Sequence, residues 1–252
     1  MKVLKFTLSG THAFFKKPDV NAYIYFTYGN IHKIALLGLL GAIVGYKGYN
    51  TQNEKESTYP QFYEKLRHIK VGIVPSIRKG LEDTSIKGYF TKKIQTFNNT
   101  VGYANKDGNL IVKEQWIENP CWDIYLLLNN EESEKISDYI LNSKSVFIPY
   151  LGKNDHFANI EDIEIIEAES SYVYANINID SVYLKDYFEI NKNEFWNGED
   201  EEEETIYKYE EYLPVFLEET TNQYITEAFV FTNNKLSLKD DKKANDLNLY
   251  NC

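Results

Sequence analysis

The run from Ile34 to Tyr46 is apolar almost without interruption, yet it falls short of the roughly 20 residues that a helix needs to cross a bilayer. A helix of this kind has to be enclosed by other elements, and the rest of the chain is constrained to supply them. Glycines at Gly38, Gly41 and Gly45 lie along one side of it, where either a packed sheet or a bound ligand accounts for a close approach. Asn30 is the expected cap of a helix over Ile31–Lys47. Its first turn carries His32 and Lys33 at the positive end of the dipole, where cations are disfavoured and an anion is favoured. The pattern predicts that something negative sits there.

The enclosing elements follow from period. Lys2–Ser9 alternates as a half-buried strand, His68–Pro75 reads as a second strand, and Trp122–Leu128 as a third, buried one. Glu131–Lys144 places Ile136, Tyr139 and Ile140 on one helical face with acids in its first turn, and Val146-Phe147-Ile148 follows as a fourth strand. The order β-α-β-β-α-β predicts an α+β fold, a ferredoxin-like or RRM-like split unit over residues 1–168. Residues 169–252 form a smaller, acidic, β-rich part with strands at Tyr172–Ile179, Tyr207–Glu218 and Ile225–Phe231. Its charge run Gly198–Glu204 is either a solvated loop or a docking surface for a basic partner, and the stretch after Leu238 is expected to fray.

In 252 residues, 43% of them hydrophobic, there is enough apolar material for a core of this size. Cys121 and Cys252 are too few for a disulfide framework and no secretory signal opens the sequence, so a cytoplasmic protein is expected, with no membrane partner. The formal net charge of −11 conceals an asymmetry: the first 120 residues hold 17 Lys plus Arg against 9 acids, the remaining 132 hold 10 against 29. A half near +8 joined to a half near −19 suggests a polyanion partner for one and a different partner for the other. The cations of the front half are nearly all lysine, Arg67 and Arg78 apart, so phosphate contact would rest on point charges and backbone amides.

Between the second and third strands, Ser76–Cys121 is too long for a turn. Two extended runs, Tyr89–Tyr103 and Leu110–Ile117, flank Asn105-Lys106-Asp107-Gly108-Asn109, a strong hairpin signal. Lys87, Lys92, Lys93, Lys106 and Lys113 decorate this hairpin, which either grips a strand of RNA or is a solvated excursion with lysines for solubility. The loop Pro149–Ala158 adds Gly152, Lys153 and Asn154, a glycine for close backbone approach and two donors, though an ordinary turn also fits. His12, His68 and His156 read as satisfied polar residues. There is no CxxC, HExxH, GxSxG, GxGxxG or Walker spacing, so neither a metal nor a cofactor is expected.

Phe14-Phe15-Lys16-Lys17-Pro18, then Thr27-Tyr28, the glycine-bearing helix Leu-Leu-Gly-Leu-Leu-Gly-Ala-Ile-Val-Gly, and Pro-Tyr-Leu-Gly-Lys-Asn-Asp-His-Phe-Ala together resemble the CRISPR-associated Cas five family of the RAMP superfamily, nearest its subtype I-B branch. The resemblance covers about residues 2–168 and extends only loosely beyond. It implies a subunit of the type I surveillance complex, Cascade, that caps the 5′ handle of the CRISPR RNA with a thumb-like hairpin at about 87–118. The implied partners are the backbone subunit Cas seven, the large subunit Cas eight, and target DNA in the assembled complex. Binding without bond cleavage is the expected mechanism. Its RNA-binding set is Phe14, Lys16, Lys17, Tyr28, His32, Lys33, Gly38, Lys92, Lys93, Lys106, Gly152, Lys153 and Asn154, with Phe14 or Tyr28 stacking a base unless they are core aromatics. Two other readings stand beside it. One is a metal-independent endoribonuclease like the subtype I-C branch, for which His32, Lys33 and Tyr46 are candidates; the other is a plain protein adaptor working through the acidic half.

Overall fold

The computed structural model describes residues 1–19, 23–52, 57–82, 87, 89–99, 110–169, 175–191 and 206–239. Strand β1 (Lys2–Ser9) buries Leu4, Phe6 and Leu8 on one face and turns Lys5 and Thr7 to the other, as the alternation requires. The short strand β2 (His12–Ala13) and helices α1 (Lys33–Val44) and α2 (Gln61–Leu66) lead to β3 (Val71–Pro75). Next come the paired strands β4 (Lys92–Asn99) and β5 (Leu110–Glu118), then β6 (Cys121–Leu127), α3 (Glu131–Leu141) and β7 (Asn159–Glu167). The chain finishes with β8 (Tyr183–Leu184), β9 (Phe188–Ile190), β10 (Lys208–Leu217), β11 (Tyr224–Thr232) and β12 (Leu236–Leu238).

The architecture is mixed α/β with mostly antiparallel sheets and few helices. A central sheet runs β3-β6-β1-β7 with every neighbour antiparallel, and α1 and α3 lie in the connections β1 to β3 and β6 to β7. Among the described residues three smaller sheets accompany it: β2-β5-β4, β10-β11-β8 and β12-β9. Trp122, fully buried at the centre, donates its indole N–H to Asn30 Oδ1 at 3.0 Å, so the largest core side chain leaves no polar atom unsatisfied.

Asn30 is therefore spent on the core, and the cap of α1 is His32, whose Nδ1 accepts from the Ala35 N–H at 3.2 Å. The glycine side of α1 faces α2 rather than the sheet. A Cβ on Gly41 would lie 2.6 Å from Phe62 Cβ and one on Gly38 would touch the Phe62 ring at 3.9 Å, so both glycines seat α2. The expected fourth strand at Val146–Ile148 is not a strand. The N–H groups of Val146 and Phe147 donate to the Ile43 and Ala42 carbonyls, satisfying the open end of α1, while the side chains remain exposed. The fourth sheet position belongs to β7. At α3 the expected helix stands, opened by a reciprocal capping box between Asn130 and Ser133 with Glu131, Glu132 and Glu134 in the favoured first turn.

Of the strand expected at Tyr172–Ile179, residues 172–174 lie outside the described residues, and Ile177 makes only an isolated bridge to Leu236. The charge run 198–204 lies outside them too. Strands β10 and β11 fall where expected. Their Leu213, Leu217 and Phe231 join Leu4, Leu37 and Trp122 in one buried cluster, and the Leu217 N–H donates to the Tyr63 hydroxyl at 3.1 Å. Side chains from both sides of residue 168 thus share one core.

Candidate nucleic-acid interface

Strands β4 and β5 pair antiparallel from Lys92↔Ile117 to Asn99↔Leu110; the tip, Lys106 included, lies outside the described residues. One edge of the hairpin is held. β5 pairs with β2, and Tyr25 lies alongside, its N–H donating to the Lys113 carbonyl at 2.8 Å while its own carbonyl accepts from Gln115 N–H at 2.9 Å. β4 is left as the outer strand of that sheet. Period two then sorts the side chains: Lys92, Ile94 and Thr96 share a face with Lys113, and Lys93, Gln95 and Phe97 share the other with Glu114 and Trp116.

The second of these faces is covered by the loop after α3. Lys153 Nζ lies 2.9 Å from Glu114 and 5.0 and 5.3 Å from the Phe97 and Trp116 ring centroids, and Lys93 pairs with Glu118 at 3.6 Å. Gly152 adopts φ +84°, and a Cβ there would collide with the Phe14 carbonyl. Its freedom serves an approach of the chain to itself, where the Phe14 N–H donates to the Leu151 carbonyl at 3.0 Å. Asn154 is exposed beside it. His156 is buried with its ring edge-on to Trp116 at 4.4 Å; neither ring nitrogen has a hydrogen-bond partner, and burial holds the imidazole below its usual pKa.

Residues 23–28 run along the edge of β5 and pair back onto Lys16 and Lys17. Lys16 bridges Thr27 and sets its ammonium 3.9 Å over the Tyr25 ring, on the Glu114 face that Tyr25 shares through its parallel bridge, whereas Lys17 turns to the Lys92 face. Lys17 pairs with Glu211 of β10 at 2.7 Å, and Lys92 is close enough to feel both charges. Phe14 and Tyr28 are 5% and 4% exposed and show no ring face to a base, which corrects their expected stacking role. The Tyr28 hydroxyl is pushed up to about 12, burial first.

His32 offers no charge. At 3% exposure, and edge-on to Phe15, Tyr28 and Tyr224, its imidazole is pushed by desolvation down to about 3. Burial lowers the Lys33 ammonium as well. Two aromatic side chains that the sequence reading passed over do reach solvent here: Tyr23 is 85% exposed and Phe26 40%. The close spacing of Tyr23, Tyr25, Phe26 and Tyr28 was the available signal. The outcome is lysines on both faces at the hairpin edge, Lys17, Lys92 and Lys113 on one and Lys16, Lys93 and Lys153 on the other, with Tyr23 and Phe26 exposed in the segment beside β5.

The open face of the central sheet is of another character. Lys5, Arg78 and Lys79 are matched there by Asp123, Glu161 and Asp162 around a hollow of about 480 Å³. The candidate catalytic trio does not converge either. His32 and Lys33 start α1 and Tyr46 follows its end, about 20 Å away at 1.5 Å per residue. Tyr46 instead donates to Glu132 and accepts from Lys135 at 3.0 Å. Among the described residues no group of three or more His, Cys, Asp and Glu side chains is placed to hold a metal ion, and no helix is long and apolar enough to cross a membrane.

No family model and no curated protein matches the sequence. Solved structures do resemble the fold. A chain of a CRISPR RNA-guided surveillance complex superposes with a TM-score of 0.52 at 10% identity, covering 94% of this chain and 91% of that one. A CRISPR protein from Archaeoglobus fulgidus gives 0.44 at 9% identity, covering 96% and 93%. A chain of the Type III-B Cmr-beta complex bound to cognate target RNA and AMPPnP gives 0.44 at 11%, covering 97% and 90%. Over nearly its whole length this chain has the fold of a protein from a CRISPR RNA-guided surveillance complex.

Proposed function

We propose that the chain is a non-catalytic RNA-binding subunit of a CRISPR-associated complex, a Cas five protein of subtype I-B type built on a ferredoxin-like βαββαβ core. In this reading the hairpin β4–β5 is a thumb closing on the 5′ handle of the CRISPR RNA. Lys17, Lys92 and Lys113 meet phosphates on one face and Lys16, Lys93, Lys153 and Asn154 on the other, while Tyr23 and Phe26 stack bases. The acidic part beyond residue 168 docks a large subunit, and a backbone subunit follows along the RNA. The observation that carries this reading is an anchored hairpin bearing Lys92, Lys93 and Lys113, with a lysine- and aromatic-rich segment, Lys16, Lys17, Tyr25 and the exposed Tyr23 and Phe26, laid along its edge. Coulombic attraction to phosphate and sequence-tolerant stacking are the two terms that single-stranded RNA binding requires.

The chain should be coexpressed with its genomic neighbours and purified through a tag on one of them. Copurification of this chain with guide RNA and the neighbouring subunits is expected. A chain that elutes alone and free of RNA overturns the reading, and specific cleavage of repeat RNA by the purified chain overturns its non-catalytic part.

A further inference from the structure

A carboxylate of the chain itself sits in the turn that leads to α1, three residues ahead of the His32 cap. From β10, Glu211 reaches over the turn before the helix and accepts from the Gly29 N–H at 2.8 Å and from the Tyr209 hydroxyl. Its other oxygen lies 2.7 Å from Lys17 Nζ. The carboxylate is 10% exposed and the Lys17 side chain 28%, so the lysine is the more accessible member of the pair. Lys92 stands near enough to sense both charges. A backbone N–H, a hydroxyl and an ammonium converging on one carboxylate form an anion seat, and the non-bridging oxygens of a phosphodiester have the same acceptor chemistry.

We propose that Glu211 is a built-in competitor for this seat, holding Lys17 in the RNA-free protein until a phosphate of single-stranded RNA takes the lysine from it. The inference rests on the RNA-binding reading and adds a threshold to it. A lysine already neutralised by a fixed carboxylate has no counterion to release, so it contributes to binding only when the carboxylate lets go. The acidic rear of the chain thereby sets how tightly the basic front holds RNA.

The test uses the full chain and a labelled single-stranded RNA of the CRISPR repeat sequence, titrated by fluorescence anisotropy at several salt concentrations. Glu211→Gln keeps acceptors for Gly29 and Tyr209 and removes the charge. It is expected to tighten binding about fivefold at 0.1 M salt and to steepen the salt slope by about 0.7, the worth of one more phosphate contact. Lys17→Ala is then expected to cost about fivefold more in the Glu211→Gln background than in the parent. An unchanged slope for a folded Glu211→Gln, or an equal cost of Lys17→Ala in both backgrounds, overturns the proposal while leaving RNA binding itself intact. If Glu211→Gln does not fold, Glu211→Asp withdraws the carboxylate from Lys17 and should also steepen the slope; no change there overturns the proposal. Absence of RNA binding by every variant and by the parent removes the RNA-binding reading, and the proposal with it.

Discussion

His32 illustrates how a residue suited to charge can be made to carry none. Its Nδ1 must stay unprotonated to accept from Ala35, and burial among three aromatic rings enforces that state down to about pH 3. In the unfolded chain the same imidazole titrates near 6.5. Below that value the unfolded state takes up a proton that the folded state refuses. Stability should therefore fall as pH drops from about 6.5 toward 3, by up to about 1.4 kcal/mol per pH unit. Urea unfolding at pH 7 and 5 should show this loss in the parent and a shallower one in His32→Asn, which retains a capping acceptor; equal losses would contradict the assignment. Gly152 makes a comparable point in backbone terms. Its φ of +84° and the Phe14 carbonyl against it predict that Gly152→Ala lowers stability by about 1–3 kcal/mol, read as a drop in melting temperature. That a close backbone approach could occur at this glycine was visible in the sequence. What approached it was not, because Phe14 and Gly152 are brought together only by the fold.

At the scale of elements, signals that are local were legible and those that depend on tertiary partners were not. β1, β6 and α3 carry their own periodicity, and the paired extended runs around Asn-Gly-rich residues announced β4 and β5. By contrast α2 has six residues, too few to show a period, and is stabilised by Phe62 lying against the glycine side of α1. Val146-Phe147-Ile148 is as apolar as a strand but spends its N–H groups on the end of a helix, an outcome that no short apolar run reveals by itself. Gly41→Ala, which drives a methyl into Phe62, should cost about 1–3 kcal/mol by chemical unfolding; a neutral result would mean that α2 moves away freely. For the candidate interface, the lysines of the hairpin and of the Phe14–Pro18 block stand out in the sequence, whereas which aromatic rings reach solvent does not, since burial decides which are available. Phe26→Ala is expected to weaken binding to single-stranded RNA by about 1–3 kcal/mol with little change in melting temperature, and an unaltered affinity would remove Phe26 from the surface.

Across the whole molecule, the basic front and acidic rear are not two surfaces kept apart. Lys5, Lys17, Lys65, Lys79 and Lys87 of the front pair with Glu164, Glu211, Glu132, Asp162 and Asp180 of the rear, and Lys153 of the rear pairs with Glu114. Exposed pairs of this sort add little stability one by one, but together they reduce the charge that a polyanion meets. Because Leu213, Leu217 and Phe231 belong to the same buried cluster as the central sheet, a chain ending at residue 168 should lose cooperative unfolding rather than survive as an RNA-binding front half. A sharp melting transition for that truncation would contradict a shared core. The measurement that tests the account most directly is the salt dependence of binding to the guide's 5′ handle by the parent and by Lys16→Ala/Lys92→Ala. The account predicts that the double variant binds more weakly and that its slope of log affinity against log salt is shallower by about 1.4, two single-strand phosphate contacts. A parent that does not bind the handle, or a double variant with the parent's slope, would contradict it.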